Sequence, residues 1–137
     1  MATLHQKMKL LKGLFTGEVA HTGPFHVMVD VTRRCNLSCV GCRFHSPEAN
    51  RPSPGDQAVL DISFDMVRKM CTELRKMDTR TLFIMGEGEP FLHPRLFDIV
   101  SAAKADEFHV TIITNGTLLN HSRIQFLLDS RLDALQV

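Results

Sequence analysis

A switch between two periodicities, repeated three times, constrains this chain of 137 residues more than any other feature. "FHVMVDV" (25–31) is rich in β-forming residues, follows Gly23-Pro24 and reads as a strand. Further on, Ser63 is placed to cap a helix with Asp65 in its first turn. Val67, Met70, Cys71 and Leu74 then fall at i, i+3, i+4 and i+7, one helical stripe. "TLFIM" (81–85) is a continuous apolar run, as in a strand buried on both faces. Pro94 suits the first turn of a second helix, whose stripe is Leu96, Ile99, Val100 and Ala103. "HVTIIT" (109–114) is a third strand, and Asn120 can cap a third helix that buries Ile124, Leu127 and Leu128. "LDALQV" (132–137) begins a fourth strand. Such alternation predicts an α/β fold of βα repeats around a parallel sheet with right-handed crossovers.

Ahead of this pattern, residues 3–16 predict a short amphipathic helix. Leu4, Met8, Leu11 and Leu14 or Phe15 lie on one side, and Gly17 stops it. The chain therefore divides into an N-terminal helix and linker, 1–24, and an α/β core, 25–137. Between the first strand and the helix at Ser63, "SPEANRPSPGDQA" (46–58) holds three of the six prolines and reads as a loop. A hydrophobic content of 44% suffices for one domain's core. The net charge of +1 gives no basic excess for nucleic acid. No secretory leader is visible, and no apolar run approaches the ~18 residues of a membrane span. The expectation is a cytoplasmic protein, where clustered cysteines serve as ligands or redox groups rather than disulfides.

Ligands of parallel sheets gather beyond the C-terminal ends of the strands. Three unusual segments sit there: "CNLSCVGC" (35–42) after the first strand, "GEGEP" (86–90) after the second, and "TNG" (114–116) after the third. The topology would bring them to one rim. Cys35, Cys39 and Cys42 are spaced C-x3-C-x2-C. A structural zinc site needs a fourth ligand and favours paired C-x2-C hooks, of which there is one here. His45 could serve, although a loop histidine is commonly just solvated. Cys71 could also serve, but it lies on the apolar stripe of its helix, where a buried inert thiol is the ordinary explanation. A redox pair of Cys39 and Cys42 leaves Cys35 without a role. Three thiolates also suit a [4Fe–4S] cluster whose remaining iron is open to a ligand from outside.

The cysteine spacing after the first strand, with "GEGEPFLHP" after the second and "TIITNGTLL" at the third, resembles the radical S-adenosylmethionine (radical SAM) superfamily over about residues 25–137. The resemblance implies a partial (βα)6 TIM-like barrel, of which three βα units and a fourth strand make about half. It implies an enzyme in which Cys35, Cys39 and Cys42 each bind one iron of a [4Fe–4S] cluster. The amino and carboxylate groups of S-adenosylmethionine would chelate the fourth. Backbone groups of Glu87 and Gly88 with the Glu89 side chain would hold the methionine ammonium, and Pro90 would stiffen that turn. Thr114 and Asn115 would lie near the cofactor. Gly41 stands where the family usually carries an aromatic residue beside the adenine, which leaves backbone contacts there.

Glu87 replaces a usual glycine; it is either a solvated loop carboxylate or a second ammonium contact. Reductive cleavage of S-adenosylmethionine would yield a 5′-deoxyadenosyl radical that abstracts hydrogen from a substrate. The electron would come from an external flavodoxin- or ferredoxin-like protein. "FHVMVDVTRRCNLSC" is similar to members that modify peptides or build cofactors, and loop 43–62 sits where substrate contacts often arise. The stop after a fourth strand implies a truncated barrel with an exposed edge strand available for self-association. Two other readings stay open: a non-catalytic iron–sulfur binding module, and a zinc-binding structural domain.

Overall fold

The computed structural model describes residues 4–49 and 60–137. Its strands are β1 (His26–Asp30), β2 (Thr81–Met85), β3 (His109–Ile113) and β4 (Ala134–Gln136), all parallel and ordered β1-β2-β3-β4. The helices are α1 (Leu4–Thr16), α2 (Phe64–Lys76), α3 (Leu96–Ala105) and α4 (His121–Asp129). Successive strands are neighbours and a helix lies in each crossover, as the alternating periodicity requires. The proline-rich loop expected at 46–58 falls outside the described residues from position 50 onward.

Register explains the core. Val29, Ile84, Ile112 and Leu135 form one cross-strand row, and Val27, Leu82 and Val110 form another. On that sheet face the residues of β1, β2 and β3 meet Val67, Cys71 and Leu74 of α2, Leu96, Ile99, Val100 and Ala103 of α3, and Leu127 of α4. Both predicted stripes of α2 and α3 thus pack as the helical period demands. "TLFIM" departs from its expectation: Leu82 and Ile84 are buried, while Thr81, Phe83 and Met85 are half-buried. The helical residues of the core cover one sheet face, and the side-chain period of two in a strand sends alternate residues to the other.

Three further expectations change. Pro94 lies outside α3, which starts at Leu96 with Arg95 as its cap residue. The proline at a helix start is Pro90, in the first turn of a short 3-10 segment (Pro90–Leu92) capped by the Glu89 carboxylate. In α4, Leu127 is buried, but Ile124 and Leu128 are exposed. The stripe of α1 is exposed as well, with Phe15 at 89%. This helix rests on polar contacts: the Gln6 amide donates to the Asp78 carbonyl, and Lys9 pairs with Asp78 at 3.0 Å. It is anchored at the turn before β2, the end of the sheet opposite the cysteine loop. Among the described residues, no helix is long and apolar enough to cross a membrane.

One helix ending is used three times. Asp78, Glu107 and Arg131 follow the cap residues of α2, α3 and α4 with φ of 61°, 59° and 53°. In each case the next amide reaches back: Thr79 N–H to Leu74 O, Phe108 N–H to Ala103 O, and Leu132 N–H to Leu127 O. This is the Schellman geometry, which glycine normally serves because an L side chain is strained there. No glycine marks any of the three. Asp78 and Glu107 also carry ion pairs, to Lys9 and Arg75. Arg131→Gly is therefore the cleanest relief of strain, and it should raise unfolding free energy by about 0.5–1 kcal/mol in urea titrations.

Asp133 joins the last crossover to the sheet. Its carboxylate accepts from the Val110 N–H at 2.7 Å and pairs with Lys104, while its own N–H donates to Val110 O. Burial works against the charge, but the Lys104 ammonium and the Val110 N–H outweigh it and hold the carboxyl below its ordinary value. A lowered folded-state pKa gives stability that is complete above about pH 4, the unfolded value, and lost as pH falls through the folded one. Asp133→Asn should lower Tm at pH 7. It should also flatten the acid limb of Tm against pH, so that the gap between wild type and variant narrows as pH falls below about 4, read by circular dichroism.

Candidate functional site

The chain leaving β1 is hydrogen-bonded along both edges over its next four residues. On one side Val31 N–H donates to Met85 O, Gly88 N–H to Thr32 O and Glu89 N–H to Arg34 O, at 2.9, 3.0 and 2.7 Å. On the other, Arg33 N–H donates to Leu60 O and Ile62 N–H to Val31 O, around an antiparallel bridge between Thr32 and Asp61. The run into Cys35 is thus clamped between "GEGEP" and the segment before α2. Side chains reinforce it. Arg34 makes a two-point contact with Asp61 at 2.8 and 3.3 Å and donates to Leu92 O at 2.7 Å. The Thr32 hydroxyl donates to Asp61 at 2.6 Å.

This packing explains the glycines of "GEGEP" from within the chain. A Cβ added at Gly88 would lie 2.1 Å from the Arg34 carbonyl oxygen, and one at Gly86 would lie 2.6 Å from the Thr32 oxygen. The close approach that glycine permits here is to the backbone leading into the cysteine loop. Glu87 forms an ion pair with Arg33 at 2.9 Å and is partly exposed, so its charge has a partner within the chain.

Glu89 links the second strand to the third. It is 2% exposed. Oε1 accepts from the Phe91 N–H at 3.0 Å and the Thr114 hydroxyl at 2.7 Å, and Oε2 accepts from the Asn115 N–H at 2.8 Å. Sequence reasoning assigned this side chain to an ammonium; the structure engages it with three donors of the protein itself. Pro90 is buried beside it in the 3-10 segment, and Thr114 is buried with its oxygen also accepting from the Gly116 N–H. Gly116 has φ of 75°, which turns the chain sharply after β3.

The cysteine loop lies on the same rim. Cys39 is exposed, Cys35 and Cys42 are half-buried, and all three are free thiols. Cys42 N–H donates to Cys39 O at 2.9 Å, closing a tight turn, and His45 N–H donates to the Cys42 sulfur at 3.2 Å. Among the described residues, no three His, Cys, Asp or Glu side chains already converge on a metal-ion position. The donor set itself fits a soft metal or an iron–sulfur cluster: three accessible thiols on one short loop at the open end of a parallel sheet. Gly41 points into open space, with nothing within 4 Å of an added Cβ. Cys71 is removed from the metal question, because it sits in the core, where burial first and the Asp106 charge second push its thiol up to about 11.

The family model for the radical SAM superfamily matches residues 29–137, which takes in every segment of this rim. The chain belongs to the radical SAM superfamily. Its relatives in that superfamily include a tungsten-containing aldehyde ferredoxin oxidoreductase cofactor-modifying protein of Pyrococcus furiosus, 29% identical over 79% of this chain and 28% of that protein. The subtilosin biosynthesis protein AlbA of Bacillus subtilis is 31% identical over 76% of this chain and 21% of that protein. The chain thus spans about a quarter of the length of these two relatives. Among solved structures, Streptococcus suis SuiB bound to precursor peptide SuiA has a TM-score of 0.68 at 18% identity, covering 92% of this chain and 26% of that one. The radical SAM barrel of βα units is therefore the fold this sheet is part of.

In this radical SAM chain the structure brings together Gly88, Glu89, Pro90, Thr114 and Asn115, and sets the cysteine loop against them. Sequence reasoning missed Arg34 and Asp61, which brace the approach to Cys35, and Asn36 and Thr117, which hydrogen-bond across the rim. An arginine–carboxylate pair at a separation of 27 residues leaves no local periodic signal. Asn36 lies inside the motif, but motif matching reads its cysteines only. The two motif glycines should respond oppositely to the same substitution. Gly88→Ala should destabilise the chain by about 3 kcal/mol or more, because backbone must move. Gly41→Ala should stay within about 0.5 kcal/mol of wild type, both read by thermal and urea melts.

Proposed function

We propose that this chain is the cofactor-binding part of a radical SAM enzyme. The observation that carries the reading is the meeting of the three-thiol loop, "GEGEP" and "TNG" on one rim, held by Glu89. Cys35, Cys39 and Cys42 would hold three irons of a [4Fe–4S] cluster and leave the fourth for the amino and carboxylate groups of S-adenosylmethionine. When reduced, that cluster supplies the electron that cleaves the sulfonium C–S bond and so starts hydrogen abstraction from a substrate.

The protein's part is binding and orientation. The backbone carbonyls of Glu87 and Gly88 would meet the methionine ammonium together with the remaining acceptor capacity of Glu89, whose three internal donors would hold that turn in place. Thr114 and Asn115 are set by the same carboxylate and would line the cofactor's far side. The open space at Gly41 leaves room for an adenine ring against backbone. Cys39, exposed at the loop's apex, lies where an external flavodoxin- or ferredoxin-like reductant could approach. The named activities of the relatives support a peptide or a cofactor precursor as the substrate class.

Anaerobic reconstitution with iron and sulfide, reduction and addition of S-adenosylmethionine test the reading. Brown protein with about four irons and four sulfides per chain and formation of 5′-deoxyadenosine are expected, with both lost in Cys39→Ala. Stoichiometric zinc without sulfide would overturn it in favour of a structural metal site. Cluster uptake without cleavage would reduce the chain to an iron–sulfur binding module.

A further inference from the structure

The cysteine loop is joined to the end of β3 by a closed ring of side-chain hydrogen bonds. Asn36 Nδ2 donates to Thr117 Oγ1 at 2.8 Å, the Thr117 hydroxyl donates to Asn115 Oδ1 at 2.7 Å, and Asn115 Nδ2 donates to Asn36 Oδ1 at 3.0 Å. Every donor in the ring meets an acceptor with no conflict, so the bonds polarise one another in a single sense. Asn115 Oδ1 also accepts from the Thr117 N–H at 3.0 Å, and the Asn115 N–H is held by Glu89. Asn36 and Thr117 are exposed and Asn115 is half-buried, so core packing does not account for this arrangement. Its effect is positional: it fixes the residue next to Cys35 against a turn some 80 residues away, one whose backbone is already fixed to the "GEGEP" carboxylate.

We propose that Asn36 is a positioning residue. Through Asn115 and Thr117 it holds the metal-binding loop in register with the strand ends that receive S-adenosylmethionine, an inference that rests on the function proposed above. The side chain suits the task because one short amide donates and accepts at once. Aspartate at this position would keep the acceptor and lose the donor, and leucine would lose both.

Hydrogen–deuterium exchange on the apo chain tests the clamp without any cofactor. Asn36→Ala and Thr117→Val should each raise exchange in peptides covering 35–42 and 115–118. Tm and exchange in β1–β3 should stay at wild-type values. Asn36→Asp should be intermediate, and the Asn36→Ala/Thr117→Val pair should do little more than either alone, because the two share one ring. After reconstitution, Asn36→Ala should bind as much iron and sulfide as wild type but release iron faster to a chelator. It should also bind S-adenosylmethionine about fivefold more weakly, the factor for one ordinary hydrogen bond, read from the ligand-induced change in the reduced cluster's electron paramagnetic resonance spectrum.

Unchanged loop exchange in Asn36→Ala overturns the clamp and leaves the functional reading intact. Raised exchange with wild-type iron release and cofactor affinity overturns the positioning role. A wild-type chain that takes up no cluster overturns the functional reading, and the positioning role with it.

Discussion

A carboxylate removed from water inside an α/β domain is tolerated only where donors replace the hydration it loses. Glu89 has three, one from its own turn and two from the end of β3. Much else on the rim follows from that requirement. The Phe91 N–H is drawn in, so the chain after "GEGE" curls into a 3-10 turn with Pro90 at its start. Thr114 and Asn115 are drawn in, so "TNG" is fixed to the second strand rather than left as a free loop. Removing the carboxylate would leave three donors competing for nothing, and that is a heavier loss than the single bond a surface glutamate forfeits.

The second constraint is steric. The backbones of "GEGEP" and of Thr32–Arg34 run so close that Gly86 and Gly88 have no room for a side chain. This contact carries the order of the sheet one step past β1 and delivers Cys35 to the rim in a defined direction. Arg34 and Asp61 then pin the outer edge of the same run. The cysteine loop is consequently supported at its base by backbone pairing and at its side by the Asn36 ring. A loop so mounted keeps its three thiols out of the core, where Cys71 lies.

Elements whose pattern is dictated by burial are legible in the sequence: the stripes of α2 and α3, and with them the caps Ser63 and Asn120, each of which accepts from the amide three residues on. Elements governed by what they pack against are not. The stripe of α1 is amphipathic by spacing, yet Gln6 and Lys9 decide its contact through the Asp78 turn. Ile124 and Leu128 belong by spacing to a buried face that α4 does not present to the core. The three Schellman endings leave no signal because their left-handed residues are Asp78, Glu107 and Arg131, where sequence reasoning looks for glycine.

The sequence by itself determined the strand–helix alternation, the parallel sheet and the placement of three unusual segments at one set of strand ends. Those follow from side-chain period and chain connectivity, which are local. It also determined the donor chemistry, since three closely spaced thiols limit the metals that fit. Only the tertiary structure decided what the motif residues touch within the chain. It gave Glu89 three donors across the rim, gave Glu87 an ion-pair partner in Arg33, set Gly88 against the chain's own backbone, and joined Asn36 to Asn115 and Thr117. Each of those roles depends on two segments meeting across tens of residues, and the pairing of polar groups at such a distance leaves no periodic trace in either segment alone.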